Sequence, residues 1–380
     1  MLVLKAAVKV FTWFLRAVYA FCSLFPHHKR VVFISRQGKN PPRDFKMMAQ
    51  WFAENESSWE IKMLPDAMKN PLTYLPIMIR QTYFLATSDI VVLERWCLVV
   101  SLLEDRTKAA VVQVWHAMGS VKKFGLTALN VEEGHSTNAA RALKMHEGYD
   151  GVAIASLGSS DHFAKSFGVA PEVLFEAPLP HSDKLLSASY RTKQRARFLE
   201  DHPEARGKST VLYCPTFRNH PSEHDTRALE ALITAFDFSR YNLVVKPHPR
   251  SPLKTDDSRV IFTKKSALET LCWADIVVTD YSTIMYEAGL IHLPVYLYAY
   301  DWEDYREKRD FSIDFEHEVP AFMTSNAGEL MQAIESGTFN DEAFQAFVEE
   351  NIRVPKEISC TENMCQHILA IYNKKASRTS

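Results

Sequence analysis

The strongest constraint in this sequence is an alternation that runs twice along the chain: short β-branched runs, each followed by a stretch with helical spacing. The first series predicts strands at 30–35 (RVVFIS), 61–65, 89–93, 109–115 (AAVVQVW) and 151–155 (GVAIA), with helices near 44–54, 72–87 and 138–146. The second predicts strands at 210–214, 242–246 (NLVVK), 260–263, 275–279 (DIVVT) and 294–298 (PVYLY), with helices near 225–236, 266–273 and 283–291. A predicted helix at 184–199 and a loop at 201–208 separate the series, and helices at 341–352 and 361–373 follow the second. Strands that alternate with helices pair in parallel, because only a crossover element returns the chain to the same sheet edge. The chain is therefore expected to be α/β, with two Rossmann-like doubly wound halves whose ligands sit at the carboxyl ends of strands. The expected division is 1–29 for an amphipathic helix and basic linker, 30–184 and 185–345 for the two halves, and 346–380 for a helical tail, which suits 380 residues.

The composition is that of a chain with a sizeable core, 47% hydrophobic and 24% charged, which excludes a disordered chain, a fibre and a multi-span membrane protein. Net charge is −2, against a whole-protein nucleic-acid binder, but it is unevenly placed. The first 43 residues hold eight cations and no acid, +8, which leaves −10 for the remainder. The segment 2–25 is apolar, yet Lys9 and Arg16 interrupt it, so it suits neither a membrane span nor a cleaved signal peptide. At about 100° per residue, Lys5, Lys9, Thr12, Arg16 and Ser23 share one narrow stripe and large apolar residues fill much of the rest. That pattern suits a helix lying on an anionic membrane surface, with His27, His28, Lys29 and Arg30 beside the headgroups, or a helix packed on the protein's own core. The six cysteines show no CxxC pair and no zinc-ligand spacing, as in a reducing compartment, so no metal is expected.

Four predicted strand ends carry the polar residues that chemistry needs. At the first, His116 follows Trp115, with Lys122 and Lys123 beyond; a histidine titrates near neutrality and suits a general base for a hydroxyl, or a structural hydrogen bond. The second, Pro215 to Arg218, offers a guanidinium whose fork matches phosphate oxygens. The third, Lys246 to Arg250, surrounds His248 with prolines and cations. The fourth runs from Thr279 and Asp280 into a helix expected to start near Ser282, where free N–H groups and the hydroxyls of Ser282 and Thr283 favour phosphate, or where Asp280 or Ser282 simply caps the helix. No P-loop and no GxGxxG is present. Two histidines, several cations and a helix start at strand ends of opposite halves suit a phosphate-bearing ligand held in a cleft.

In order and spacing these segments resemble the CDP-glycerol glycerophosphotransferases, the teichoic-acid primases and polymerases. That family's Trp-His-Gly motif and its lysines are matched by Trp115, His116, Lys122 and Lys123. Its Pro-Thr-(Trp/Phe)-Arg motif is matched by Pro215 to Arg218, and its basic-x-His-Pro motif by Lys246, His248 and Pro249. Its Thr-Asp-Tyr-Ser segment is matched by Thr279 to Thr283, with Glu287 in the usual acidic place, and its acidic stretch before Arg-x-Phe by Asp301, Glu303, Asp304, Tyr305, Arg309 and Phe311. The chain departs at Ala117, where the family has Gly, at Pro178, Pro180, His181 and Asp183, and at Pro320 with Ala321.

The resemblance implies a GT-B-like architecture and transfer of a polyol phosphate, glycerol phosphate first among them, from a CDP-activated donor to an acceptor hydroxyl on a lipid-linked glycan or polymer, with release of CMP. It implies His116 as base and His248 at the departing diphosphate. Lys122, Lys123, Arg218, Lys246, Thr279, Asp280, Ser282, Thr283, Glu287 and Asp301 would bind substrate, without metal or cofactor. It also implies peripheral attachment at the cytoplasmic face of the membrane, with no nucleic-acid partner and with an oligomer compatible. A ribitol-phosphate transferase using CDP-ribitol, and a GT-B glycosyltransferase or epimerase using a nucleotide sugar, are the alternatives.

Overall fold

A computed structural model describes residues 2–36, 38–66, 71–131, 135–218, 223–248 and 251–379. The chain forms two compact units, one of 1–118, 123–181 and 353–380, the other of 119–122 and 182–352. The boundary thus falls at 181/182, and two segments are exchanged. The N-terminal helix and the last helix belong to the first unit, and the four residues Gly119–Lys122 to the second.

The first unit is a parallel six-stranded sheet: β1 (His28–Ser35), β2 (Glu60–Pro65), β3 (Ser88–Leu93), β4 (Ala110–Gln113), β5 (Gly151–Ile154) and β6 (Leu174–Glu176), in the order β2-β1-β3-β4-β5-β6. Strands buried on both faces read as unbroken apolar runs, as in β1. Val32 and Ile34 face one cluster with Leu15, Tyr19, Met78 and Leu85 from the helices Leu2–Cys22 and Pro71–Thr87. Val31 and Phe33 face the other, with Phe45, Met48 and Phe52 from the helix Arg43–Asn55 and Met364, Cys365 and Ile368 from the helix Cys360–Thr379.

The second unit is again parallel: β7 (Ser209–Cys214), β8 (Tyr241–Val245), β9 (Val260–Phe262), β10 (Ile276–Thr279), β11 (Val295–Tyr298) and β12 (Met323–Thr324), in the order β12-β11-β10-β7-β8-β9. This is the Rossmann order, which reverses direction between β7 and β10. The helices Glu223–Ala235 and Ala327–Ser336 cover one face. On the other, the helix Asp341–Asn351 approaches so closely at Gly289 that an added Cβ would lie 2.3 Å from Val348.

The predicted elements differ from these at instructive places. β6 and β12, three and two residues long, carry no periodic signal and were not anticipated. The strand expected over 109–115 stops at Gln113, because the backbone at Trp115 turns left-handed. The helix expected over 138–146 is Thr137–Ala142, and the one expected from Ser282 begins at Ile284. All six cysteines are buried, and no disulfide joins them among the described residues.

Candidate active site

In the first unit the chemistry gathers where β3 and β4 end. Val114 donates its N–H to the carbonyl of Leu93 at 2.7 Å, and then Trp115 adopts φ 59°, a conformation a bulky side chain occupies only under constraint. The constraint is visible. The wholly buried Gln113 accepts the Trp115 N–H at 3.0 Å through Oε1, and its Nε2 donates to the Tyr149 hydroxyl at 3.3 Å. The indole stacks on Phe124 at 4.5 Å and meets Phe167 edge-on. The turn so fixed presents His116, whose Nδ1 lies 3.3 Å from the Glu94 carbonyl oxygen. A carbonyl only accepts, so Nδ1 carries the proton and Nε2 keeps its lone pair. Burial, with help from the charge of Arg95, pushes the His116 pKa down to about 3, so the ring is neutral at working pH. The Glu94 carboxylate accepts from the Ser35 hydroxyl at 2.7 Å and the Arg36 N–H at 3.2 Å, and burial raises its pKa.

Lys122 and Lys123, adjacent in sequence, go different ways. Alternate residues of an extended segment point to opposite sides. Lys123 belongs to the first unit and acts on His162, which burial and the charges of Lys123 and Lys165 push down to about 4. Lys122 belongs to the second unit, bridges antiparallel to Phe311 and places its ammonium 5.0 Å from the Tyr305 ring centroid.

In the second unit the sites lie at the point where strand order reverses, the crevice where open α/β sheets bind ligands. Asp280, just past β10, is fully buried. It accepts the N–H groups of Tyr281 at 2.7 Å and Thr216 at 2.9 Å, and Arg218 Nη1 at 3.0 Å, tying the loops after β7 and β10 together. Arg218 also grips Asp301 with both arms of its fork, Nε at 2.7 Å and Nη2 at 2.8 Å, and donates to the Thr216 carbonyl at 2.8 Å. Burial opposes its charge, but Asp280 and Asp301 outweigh burial and raise its pKa. Tyr281 donates to Asp301 at 3.0 Å and stacks on Tyr305 at 4.2 Å, while Tyr300 donates to Asp225. Lys122 sits in the same surroundings. Burial pushes its pKa down to about 7, with Arg309 and Arg218 adding to the effect and Asp280 and Asp301 opposing it.

Several residues expected to touch substrate are therefore braces in this structure. Arg218 has only one guanidinium N–H uncommitted, and Asp280 has no exposed surface. The Thr279 hydroxyl is buried and donates to the Cys214 carbonyl at 2.7 Å. Lys246 continues the β7 pairing through its N–H and keeps a half-buried side chain. His248 lies against the Phe217 ring at 4.7 Å; Pro249 and Arg250 lie outside the described residues. Ser282, Thr283 and Glu287 are half-buried, and Thr283, not Ser282, is the residue from which the helix Ile284–Gly289 departs. Sequence reasoning missed Asp225, Gln113 and the Thr216 hydroxyl, which is buried without a partner among the described residues. Gln113 and Thr216 lie inside the segments read at the first and second strand ends, whereas Asp225 carried no signal.

Comparison with known proteins now fixes the class. The sequence model of the CDP-glycerol:poly(glycerophosphate) glycerophosphotransferases matches residues 17–357, and the chain belongs to that family. It is 28% identical over 286 residues to the teichoic acid glycerol-phosphate primase of Bacillus subtilis, covering 73% of this chain and 72% of that one. It is 28% identical over 272 residues to the teichoic acid ribitol-phosphate primase of Bacillus spizizenii, covering 69% and 70%. To the poly(ribitol-phosphate) polymerase of the same organism it is 25% identical over 84% of this chain, and it spans about half, 53%, of that longer protein. Among solved structures, the wall teichoic acid polymerase TagF soaked with CDPG superposes with a TM-score of 0.74 at 16% identity, covering 98% of both chains. The UDP co-structure of MnaA from S. aureus gives 0.60 at 13% identity, covering 91% and 97%. Both likenesses are of fold, and that fold is GT-B-like.

Proposed function

We propose that this protein transfers a polyol phosphate, glycerol phosphate or ribitol phosphate, from a CDP-activated donor to an acceptor hydroxyl in the synthesis of a teichoic-acid-type polymer. The acceptor oxygen attacks the donor's β-phosphorus, the bond from that phosphorus to the bridging oxygen breaks, and CMP leaves with the bridging oxygen. The observation that carries this reading is His116, whose Nδ1–H is spent on a backbone carbonyl, which leaves the lone pair on Nε2 as the group that would take the hydroxyl proton. Its low pKa keeps it in the accepting form, and a bound anionic donor favours the protonated ring that results.

Phosphoryl transfer asks mainly for positioning and charge. Lys246, Lys122, Lys123 and His248 supply the charge in this reading, with Ser282, Thr283 and Glu287 as hydrogen-bonding groups for the donor. Thr279, Asp280, Arg218 and Asp301 hold the loops that carry them. Peripheral attachment to an anionic membrane, at its cytoplasmic face, completes the reading. It is supported by the exposed Trp13, Phe21 and Leu24 and by the acid-free basic N-terminus. Among the described residues no helix is long and apolar enough to cross a membrane.

The test is CMP release from CDP-glycerol and CDP-ribitol with a lipid-linked acceptor, for the wild type and His116→Ala. General base catalysis contributes about 100- to 10,000-fold. Turnover should fall by at least that order while the protein stays folded and still binds donor. Near-normal turnover in a folded His116→Ala protein refutes the assignment, and UDP release from a UDP-sugar would favour the nucleotide-sugar alternative.

A further inference from the structure

The helix Leu2–Cys22 has three faces, set by about 100° per residue. Val8, Phe11, Leu15, Tyr19 and Cys22 turn to the core of the first unit. On the far side Val10, Trp13, Phe14 and Phe21 are exposed, Trp13 by 67% and Phe21 by 62%. Between these stripes run Lys5, Lys9 and Arg16. Lys5 and Lys9 are exposed, and the short helix Thr137–Ala142 and its continuation lie alongside. The two enclose an open cavity of about 430 Å³, walled by Lys5, Lys9, Trp13, Arg16, Arg141 and Lys144.

Charge in this cavity is only partly compensated. Arg16 pairs with Asp105 at 2.7 Å, and Lys144 with Glu104 at 2.7 Å and Glu147 at 3.7 Å. Lys5, Lys9 and Arg141 have no carboxylate partner among the described residues, and Arg16 Nε is buried without a hydrogen-bond partner. Three exposed, uncompensated cations around one recess attract an anion. The recess opens beside exposed aromatic and aliphatic side chains, including Trp13 in its own wall. A ligand with an anionic head and an apolar body satisfies both surfaces at once.

We infer that this cavity seats the phosphate group of an anionic phospholipid headgroup, while Trp13, Phe14 and Phe21 enter the acyl region beside it. The inference rests on the membrane attachment proposed above and makes it site-specific. Arg141 lies far along the chain from the helix and has no part in a simple amphipathic anchor, yet here it is a headgroup ligand.

The test uses the full chain, monomeric dihexanoylphosphatidylglycerol below its critical micelle concentration, and vesicles of phosphatidylglycerol in phosphatidylcholine. Lys9→Ala with Arg141→Ala removes the two cations without breaking an intramolecular ion pair, and Lys193→Ala with Lys374→Ala removes the same charge elsewhere. The wild type should bind the short-chain lipid with 1:1 saturation. The cavity variant should lose that binding and at least tenfold in vesicle affinity, and the charge-matched control less than twofold. Equal losses in the two variants, or vesicle binding that survives Lys9→Ala/Arg141→Ala but fails in Trp13→Asp/Phe21→Asp, overturn the cavity and leave membrane attachment standing. Vesicle binding untouched by Trp13→Asp/Phe21→Asp overturns insertion through this helix face, and the cavity assignment with it, whereas a wild type that binds no vesicles overturns the attachment itself. Inorganic phosphate that displaces the lipid at matched concentration makes this a free-phosphate site and overturns the lipid assignment.

Discussion

Arg218→Met would deprive Asp280, without exposed surface, and Asp301, largely buried, of the guanidinium they share. Stranding a buried charge typically costs about 3–5 kcal/mol, and denaturant titration should show a loss of that order. Arg218→Lys keeps the charge but not the two-armed grip on Asp301, so it should fall between. Lys122 makes the opposite case. Its folded pKa, about 7, lies below the ordinary 10.5. From about pH 7 to 10.5 the unfolded chain holds a proton that the folded one lacks. The unfavourable contribution of Lys122 is therefore complete below pH 7 and fades as pH rises toward 10.5. Lys122→Met should stabilise the protein at pH 6 and much less at pH 9.5, as read by urea denaturation at both values. An equal gain at both would exclude titration of Lys122 as its cause.

The turn after β4 is the element on which His116 depends. Gln113→Leu removes the acceptor for the Trp115 N–H inside a fully buried site. An unsatisfied buried donor costs about 1–3 kcal/mol. Because the left-handed Trp115 loses its brace, turnover should fall further than donor affinity, a split visible in kcat against Kd. Such a turn is hard to foresee. The β-branched runs of β1, β3, β8 and β10 announced themselves because strands buried on both faces need apolar side chains at every position. The run AAVVQVW looked like one more strand; it bends two residues early where Gln113 Oε1 takes the Trp115 N–H, and the tertiary bond from Gln113 to Tyr149 holds that side chain in place. The site was legible to the same depth. Strand ends bearing His116, His248 and Lys246 could be read from local pattern. The commitment of Arg218 to Asp280 and Asp301, and the parting of Lys122 from Lys123, depend on which loops the sheet order makes neighbours. No window of sequence carries that information.

At the scale of the whole molecule, the last helix is a structural part of the first unit. Met364, Cys365 and Ile368 have no exposed surface and share a cluster with Phe33 and Phe45, and Lys375 pairs with Asp150 at 2.7 Å. Each buried side chain of that size is worth about 1.5–3 kcal/mol, and whole domains are stable by only about 5–15 kcal/mol. Deleting 354–380 should therefore unfold the first unit, which limited proteolysis would show as rapid cleavage within 28–176. This interlacing has a consequence in time. During translation the sheet of the first unit emerges early, but one of its faces, covered in part by the helix Arg43–Asn55, lacks the rest of its cover until 360–379 leave the ribosome, after the whole second unit has been made. Domains that close on themselves fold as they emerge. Here the half made first is finished last, and throughout that interval the apolar surface that Met364, Cys365 and Ile368 will cover is exposed to aggregation.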